Sequence, residues 1–94
     1  MFKELNPIIH SQLRLAIITI LVSVEEADFT YLKERTEATA GNLSVQLDKL
    51  SAAGYIKVTK EFVGKKTHTT CNITEEGRLA LEEYIEALKS YLKI

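Results

Sequence analysis

The stretch from Thr39 to Ile56 constrains the fold most, because it encodes a short helix with both ends marked that runs directly into a strand. The hydroxyl of Thr39 can accept a hydrogen bond from a backbone N–H of the first turn. Gly54 can adopt the left-handed conformation that ends a helix. The stretch therefore predicts a compact helix followed at once by a β-strand.

This predicted helix has two chemically different faces. Leu43, Leu47 and Leu50 recur at the four-then-three spacing of one helical face, which Ala53 extends, so we expect that face to be buried. Short amide, hydroxyl and methyl groups on the opposite face suit close approach to base edges in a major groove, although such residues also occur on ordinary solvated surfaces. The opposite face consists of Gly41, Asn42, Val45, Asp48, Lys49 and Ala52, with Ser44 and Gln46 on its flanks.

A β-hairpin is predicted immediately after the helix. Residues 56–63 and 67–73 are rich in β-branched side chains and flank Gly64-Lys65-Lys66, a pattern typical of two antiparallel strands joined by a glycine turn. Alternation directs Ile56, Val58 and Phe62 toward the core. The side chains expected toward solvent at the tip and edges are Lys57, Lys60, Lys65, Lys66 and His68.

Positive charge is concentrated in this hairpin, although the whole chain has a formal net charge of −1 and a pI near 6.1. Residues 57–73 carry four Lys and one Glu, whereas the segments before and after carry an excess of acids. Such a distribution lets only one surface approach phosphate. The alternative is that these lysines only discourage edge pairing of an exposed hairpin, but the adjacent helix favours the phosphate interpretation.

The segments before residue 39 predict two further helices and a short strand. Pro7 is expected to open the first helix. Ala27-Asp28-Phe29 is expected to pair with the hairpin, and Thr30 to cap a brief helix that ends at a turn over residues 36–38. The first helix is expected to bury Ile8, Ile9, Leu13, Ala16, Ile17, Ile20 and Leu21 and to direct His10, Gln12 and Arg14 outward.

A last helix is predicted over residues 75–93, with Thr74 as its cap. Its apolar stripe needs a second surface to cover it. Its stripe is Leu81, Ile85, Leu88 and Leu92. A 94-residue chain buries only one modest core, so this helix and the apolar N-terminal segment predict a homodimer interface. The alternative is that the helix folds back on its own domain. The expected interface residues are Phe2, Leu5, Ile8, Ile9, Tyr84, Leu88, Tyr91 and Leu92.

Composition argues against several other classes of protein. The chain has no run of 18 apolar residues and no secretion-signal pattern, so we expect one cytoplasmic domain over residues 1–94. Cys71 is the only cysteine and is expected to be a buried small hydrophobe; His10 and His68 lie far apart, so neither a metal nor a cofactor is expected. The absence of a nucleophile with a partner base and of a phosphate-binding glycine motif argues against an enzyme.

Three segments carry a resemblance to a known family. They are Asn42–Ile56, a helix that ends in Ala-Gly-Tyr-Ile, then Phe62–Thr70, the basic hairpin tip, and Ile73–Arg78, an Ile-Thr-Glu-Glu-Gly helix start. Over about Leu5–Leu88 the chain resembles the small winged-helix transcriptional regulators of the MarR and ArsR type. The resemblance implies a mainly α fold with a small β-hairpin, the wing: an α+β winged helix-turn-helix with an extra C-terminal helix.

The chain departs from the usual family pattern in two places, the wing tip and the recognition helix. Lys65 and Lys66 stand where many such regulators have Arg at the wing tip, so point charges replace a guanidinium that fits a narrow minor groove. Val45 and Gln46 stand where many have His or Arg on the recognition helix. The target DNA sequence therefore does not follow by analogy.

Together these features predict a homodimeric transcriptional repressor that binds palindromic double-stranded DNA, with recognition helix 39–53 in the major groove and wing 57–72 on the backbone or minor groove. The alternative is a winged-helix protein-interaction module without sequence-specific DNA binding. In the dimer, the crevice between the first and last helices could hold a small apolar effector. The expected major-groove residues are Thr39, Gly41, Asn42, Ser44, Val45, Gln46 and Lys49, and the expected wing contacts are Lys60, Lys65, Lys66, Thr67 and His68.

Overall fold

Four helices and three strands follow one another in the part of the chain that the computed structural model describes, residues 1–92. The strands form one antiparallel sheet in which the last strand of the chain lies between the other two, which confirms the predicted α+β winged-helix architecture. Residue 93, the predicted end of the last helix, lies outside the described residues. The elements are α1 (Gln12–Val24), β1 (Glu26–Asp28), α2 (Phe29–Thr36), α3 (Ala40–Ala52), β2 (Ile56–Val63), β3 (Lys66–Ile73) and α4 (Glu75–Leu92).

Helix α1 lies at the centre of the core and packs on α2, α3, α4 and β3. Its fully buried side chains are Ile17, Ile18 and Leu21. Because neighbouring positions of a helix point in different directions, burial of both Ile17 and Ile18 means that the helix is covered on more than one side. Within residues 1–92 no helix has the length and apolar character needed to cross a membrane. The rest of the buried core is Ile9, Ala27, Leu32, Leu43, Leu47, Leu50, Ile56, Cys71, Ala80, Leu81, Tyr84 and Ala87.

Helix α3 forms as its sequence predicts. Thr39 Oγ1 accepts a hydrogen bond from the Asn42 backbone N–H at 3.1 Å, and Gly54 has a φ of +80° just after the helix. The Leu43, Leu47 and Leu50 side chains are all buried. Because one face is held in the core and both ends are fixed, the opposite face of α3 is held toward solvent.

The hairpin pairs in register from Ile56↔Ile73 to Val63↔Lys66 and turns through Gly64-Lys65, with Gly64 at a φ of +67°. The predicted strand before α2 forms one residue earlier than expected, as β1, and pairs with β3. The expectation that Phe62 faces the core was wrong, since this side chain is 80% exposed. The hairpin extends beyond the core, so only its base is covered.

The first helix begins at Gln12, not at Pro7 as predicted. Asn6 competes for the backbone groups of this segment: its Oδ1 accepts from the Ile8 N–H at 2.8 Å and its carbonyl accepts from the His10 N–H at 2.8 Å. Ser11 is then extended, with φ −154° and ψ 131°. The segment before Gln12 is therefore a separate turn, and it places Ile9 fully in the core.

The cap of α2 also differs from the prediction. Asp28, not Thr30, caps the helix, because its Oδ1 accepts from the Tyr31 N–H at 2.7 Å. The helix therefore starts earlier, at Phe29. It ends as expected at Thr36, where Glu37 adopts a left-handed φ of +59° and forms the turn before α3.

Helix α4 is capped by Thr74, as predicted, but it buries a different stripe. Thr74 Oγ1 accepts from the Gly77 N–H at 3.0 Å and donates to the Gly54 carbonyl at 2.7 Å. Leu81 is buried, whereas Ile85 and Leu92 are exposed. The small residues Gly77, Ala80 and Ala87 let this face of α4 approach the rest of the chain closely, whereas Ile85 and Leu92 lie outside the contact. The buried face consists of Gly77, Ala80, Leu81, Tyr84 and Ala87.

The Cys71 thiol is completely buried on β3, opposite Val58, as expected for a small hydrophobe. Desolvation raises its pKa to about 11, so the thiol stays protonated near neutral pH. A thiolate is the reactive form of cysteine. Cys71 is therefore placed as a packing residue.

We expect Gly77→Ala to destabilise the fold by about 1–3 kcal/mol, because the added methyl group would overlap the Tyr55 carbonyl and crowd Ile73. The matched control is Gly41→Ala, where the methyl group meets open space and the helix gains about 0.5–1 kcal/mol. Urea unfolding of both variants measures the difference. A Gly77→Ala variant as stable as the wild type would contradict the close packing of α4.

Candidate nucleic-acid interface

The outward face of α3 is open to solvent along its length. Val45 is 50% exposed, and Asn42 and Lys49 are exposed on the same face. Gln46 differs, since it is half-buried and its amide is hydrogen-bonded within the protein. The other predicted groove residues, all exposed, are Thr39, Gly41 and Ser44.

The two faces of the wing separate the predicted wing residues. A small crevice of about 140 Å³ lies between α3 and the hairpin, and Val58, Lys60 and Thr69 line it opposite Ser44 and Asp48. Side chains alternate along a strand, and directly paired residues share a face. The wing face that looks toward α3 therefore continues outward from Lys60 to Phe62 and Thr67, which pairs with Phe62.

The opposite face of the wing carries Lys66 and His68, and Lys65 lies in the turn at the tip. Lys65 and Lys66 are exposed, whereas His68 is half-buried and pairs across the strands with Glu61. The predicted wing contacts are thus divided between two sides and the tip. Lys60 and Thr67 are the two that share a side with α3.

Two residues of this surface were missed by the sequence analysis. Phe62 was assigned to the core, but it presents an exposed aromatic ring on the α3 side of the wing. Arg14 was expected to point outward, but it is half-buried and its Nη1 donates a hydrogen bond to Gln46 Oε1 of α3. A single arginine on an otherwise apolar helix was the available signal for Arg14.

A second surface forms where the two ends of the described chain meet. The Phe2 ring stacks on Tyr91 with centroids 4.9 Å apart, and the Tyr91 hydroxyl donates to the Lys3 carbonyl at 2.8 Å. The Lys3 N–H in turn donates to Ser90 Oγ at 3.0 Å. We call Phe2, Tyr91 and Leu92 the terminal patch, because all three side chains remain exposed.

The predicted dimer residues divide into buried and available ones. Ile9 is fully buried and Tyr84 nearly so, and the Tyr84 hydroxyl hydrogen-bonds His10 Nδ1 at 2.9 Å. These two side chains belong to the core of their own chain, so their assignment to an interface is corrected. The remaining predicted residues are half-buried or exposed: Phe2, Leu5, Ile8, Leu88, Tyr91 and Leu92.

The sequence pattern of the winged helix DNA-binding domain matches residues 13–92. The chain belongs to this family. The match covers every helix and strand from the first turn of α1 to the end of α4. The resemblance to winged-helix regulators is therefore confirmed, and the fold is that of transcriptional regulators rather than of enzymes.

Three similar proteins support this assignment. An uncharacterized protein of Methanocaldococcus jannaschii is 36% identical over 78 residues, which are 83% of this chain and 85% of that protein. A transcriptional regulator homologue from Pyrococcus horikoshii OT3 has a TM-score of 0.82 and 25% identity, over 90% of this chain and 84% of that one. The transcriptional regulator BldR from Sulfolobus solfataricus has a TM-score of 0.71 and 27% identity, over 87% of this winged-helix chain and 58% of BldR.

Proposed function

We propose that this winged-helix protein is a homodimeric transcriptional repressor that binds a palindromic double-stranded DNA site. The observation that carries the proposal is the uncovered polar face of α3 beside the Lys60, Phe62 and Thr67 face of the wing. A helix with small outward side chains fits a major groove, and an adjacent basic hairpin can follow the phosphate backbone or the minor groove.

In this proposal α3 makes the base contacts. Asn42, Ser44 and Val45 offer an amide, a hydroxyl and methyl groups, which suit base edges and the thymine methyl group. Lys49, one turn further on from Val45, suits a phosphate. The backbone N–H groups of Ala40 and Gly41, which the Thr39 hydroxyl does not cap, add a partial positive charge that favours a phosphate at the start of the helix.

The wing supplies contacts that do not depend on base sequence. Lys60 and Thr67 share the α3 side, and Lys65 at the tip extends farthest. Lys66 and His68 face the other side, where a second phosphate strand of the same groove can be reached. The exposed Phe62 ring suits an apolar contact with deoxyribose or the groove floor.

Dimerisation through the terminal patch and the face of α4 that carries Leu88 and Leu92 completes the proposal. A two-fold axis there presents two copies of α3 to half-sites about one DNA turn apart, which accounts for a palindromic operator. Repression needs no contact beyond this, because a dimer that occupies an operator excludes RNA polymerase from it.

We expect selection from random duplex DNA at ~50 and ~200 mM salt to enrich a palindrome, with weaker binding at the higher salt. Charge reversal in Lys65→Glu with Lys66→Glu removes four phosphate contacts per dimer and lowers the slope of log affinity against log salt by about 4. The matched control, Lys65→Arg with Lys66→Arg, keeps the charge and is expected to bind at least as tightly.

Either of two results would contradict this prediction. Failure of the wild type to retain any duplex at ~50 mM salt would favour the protein-interaction module, because that is the condition of strongest phosphate attraction. An unchanged salt slope in the folded, dimeric Glu variant would remove the wing from the DNA contact.

We expect Phe2→Glu with Leu92→Glu to convert the dimer to a monomer, because charges would then be buried in an apolar contact. Sedimentation velocity measures the oligomeric state. Leu79→Glu is the matched control: Leu79 is also an exposed apolar residue of α4, but about 140° around the helix from Leu92. A monomeric wild type, or a Phe2/Leu92 variant that stays dimeric, would contradict the proposed interface.

We also propose that a small apolar effector binds between the N-terminal segment and α4. A crevice of about 330 Å³ there is lined by Leu5, Asn6, Pro7 and Tyr84, together with Glu4 and Glu83. Leu5 and Pro7 suit an apolar body, and the Glu4 and Glu83 carboxylates suit hydrogen-bond donors on it. A saturable rise in melting temperature with such a compound, lost in Leu5→Glu, is the expected result; no rise across a library of small aromatic and aliphatic compounds would contradict it.

A further inference from the structure

A chain of three side chains links α1 to the exposed face of α3. Arg14 is anchored by its Nε, which donates to the Ile8 carbonyl at 2.6 Å, and its Nη1 donates to Gln46 Oε1. Gln46 Nε2 then donates to Asn42 Oδ1 at 3.0 Å. The Ile8 carbonyl in the turn before α1 is therefore connected, through the side chains of Arg14 and Gln46, to Asn42, the first of the proposed base contacts.

The chemistry of arginine determines which group donates and which accepts in each of these hydrogen bonds. A guanidinium has five N–H donors and no acceptor, so the atom of Gln46 that faces Arg14 has to be the amide oxygen. The Gln46 NH₂ group then faces Asn42, whose own oxygen has to accept from it. The Asn42 NH₂ group is left free to donate, since within residues 1–92 no atom accepts a hydrogen bond from it and Asn42 is exposed.

We infer that Arg14 acts through Gln46 as a positioning residue that makes Asn42 present amide hydrogens, so that Asn42 selects guanine over adenine at the base pair it contacts. This inference rests on the proposed binding of α3 in the major groove. Guanine offers two acceptors there, N7 and O6, whereas a bidentate contact to adenine needs both the oxygen and the NH₂ group of the amide. Here the Asn42 oxygen is already engaged by Gln46.

Gln46→Glu tests the inference by reversing the direction of the hydrogen bond between residue 46 and Asn42. A carboxylate still satisfies Arg14 but has no hydrogens to donate, so Asn42 has to turn its NH₂ group inward and its oxygen outward. The preferred base should then change from guanine to one that offers a donor, adenine N6 or cytosine N4. Gln46→Met removes the link without reversing it, and the preference between guanine and adenine should disappear.

The experiment is selection from random duplex DNA with the 94-residue wild type, Asn42→Ala, Gln46→Glu and Gln46→Met. Asn42→Ala identifies the contacted base pair as the position whose preference it abolishes. We expect about tenfold enrichment of guanine over adenine there in the wild type, and the reverse order in Gln46→Glu. Overall affinity is not the readout, because an added negative charge weakens binding to any DNA.

Two outcomes separate failure of the inference from failure of the proposed function. A wild type that selects a motif but keeps guanine in Gln46→Glu, or shows no position sensitive to Asn42→Ala, overturns the inference and leaves the function standing. A wild type that retains no DNA overturns both.

NMR of the side-chain amides tests the hydrogen-bonded chain without DNA. Arg14→Met should shift the Asn42 NH₂ resonances although the two side chains are linked only through Gln46. The side-chain amide of Asn72, on β3, is the internal control and should stay in place. A folded Arg14→Met variant with unchanged Asn42 resonances overturns the inference.

Discussion

The packing of Gly77 against the Tyr55 carbonyl, with Thr74 beside it, ties together the end of α3, the start of β2 and the start of α4. Thr74 donates to the Gly54 carbonyl and its N–H donates to the Tyr55 carbonyl, so backbone groups that end one helix are satisfied by the residue that caps another. Because Gly77 has no side chain, α4 can approach this closely. This junction fixes where α3 ends and where β2 and α4 begin.

The fold presents two chemically different surfaces. The leucine stripe of α3 holds its polar face outward, and the wing directs Lys60, Phe62 and Thr67 to the same side. The two ends of the described chain bring Phe2, Tyr91 and Leu92 together in an apolar patch. One chain thus carries a polar, lysine-bearing surface on α3 and the wing and a separate apolar patch.

Local signals predicted the elements well where a single residue type was decisive. Thr39 and Thr74 cap their helices and Gly54 adopts a positive φ, all as predicted. These predictions succeed because caps and left-handed turns depend on neighbours within a few residues. The start of α1 was missed, because Asn6 captures backbone N–H groups that Pro7 alone would have left for a helix.

The sequence by itself determined the family, the order of the elements, both faces of α3 and the positive charge of the wing, since periodicity, caps and charge are local properties. Only the tertiary structure decided that Phe62 is exposed, that Ile9 and Tyr84 are buried in their own core and that Arg14 reaches Gln46. These outcomes depend on how far the hairpin projects and how closely the helices approach, which are distances between residues remote in the chain.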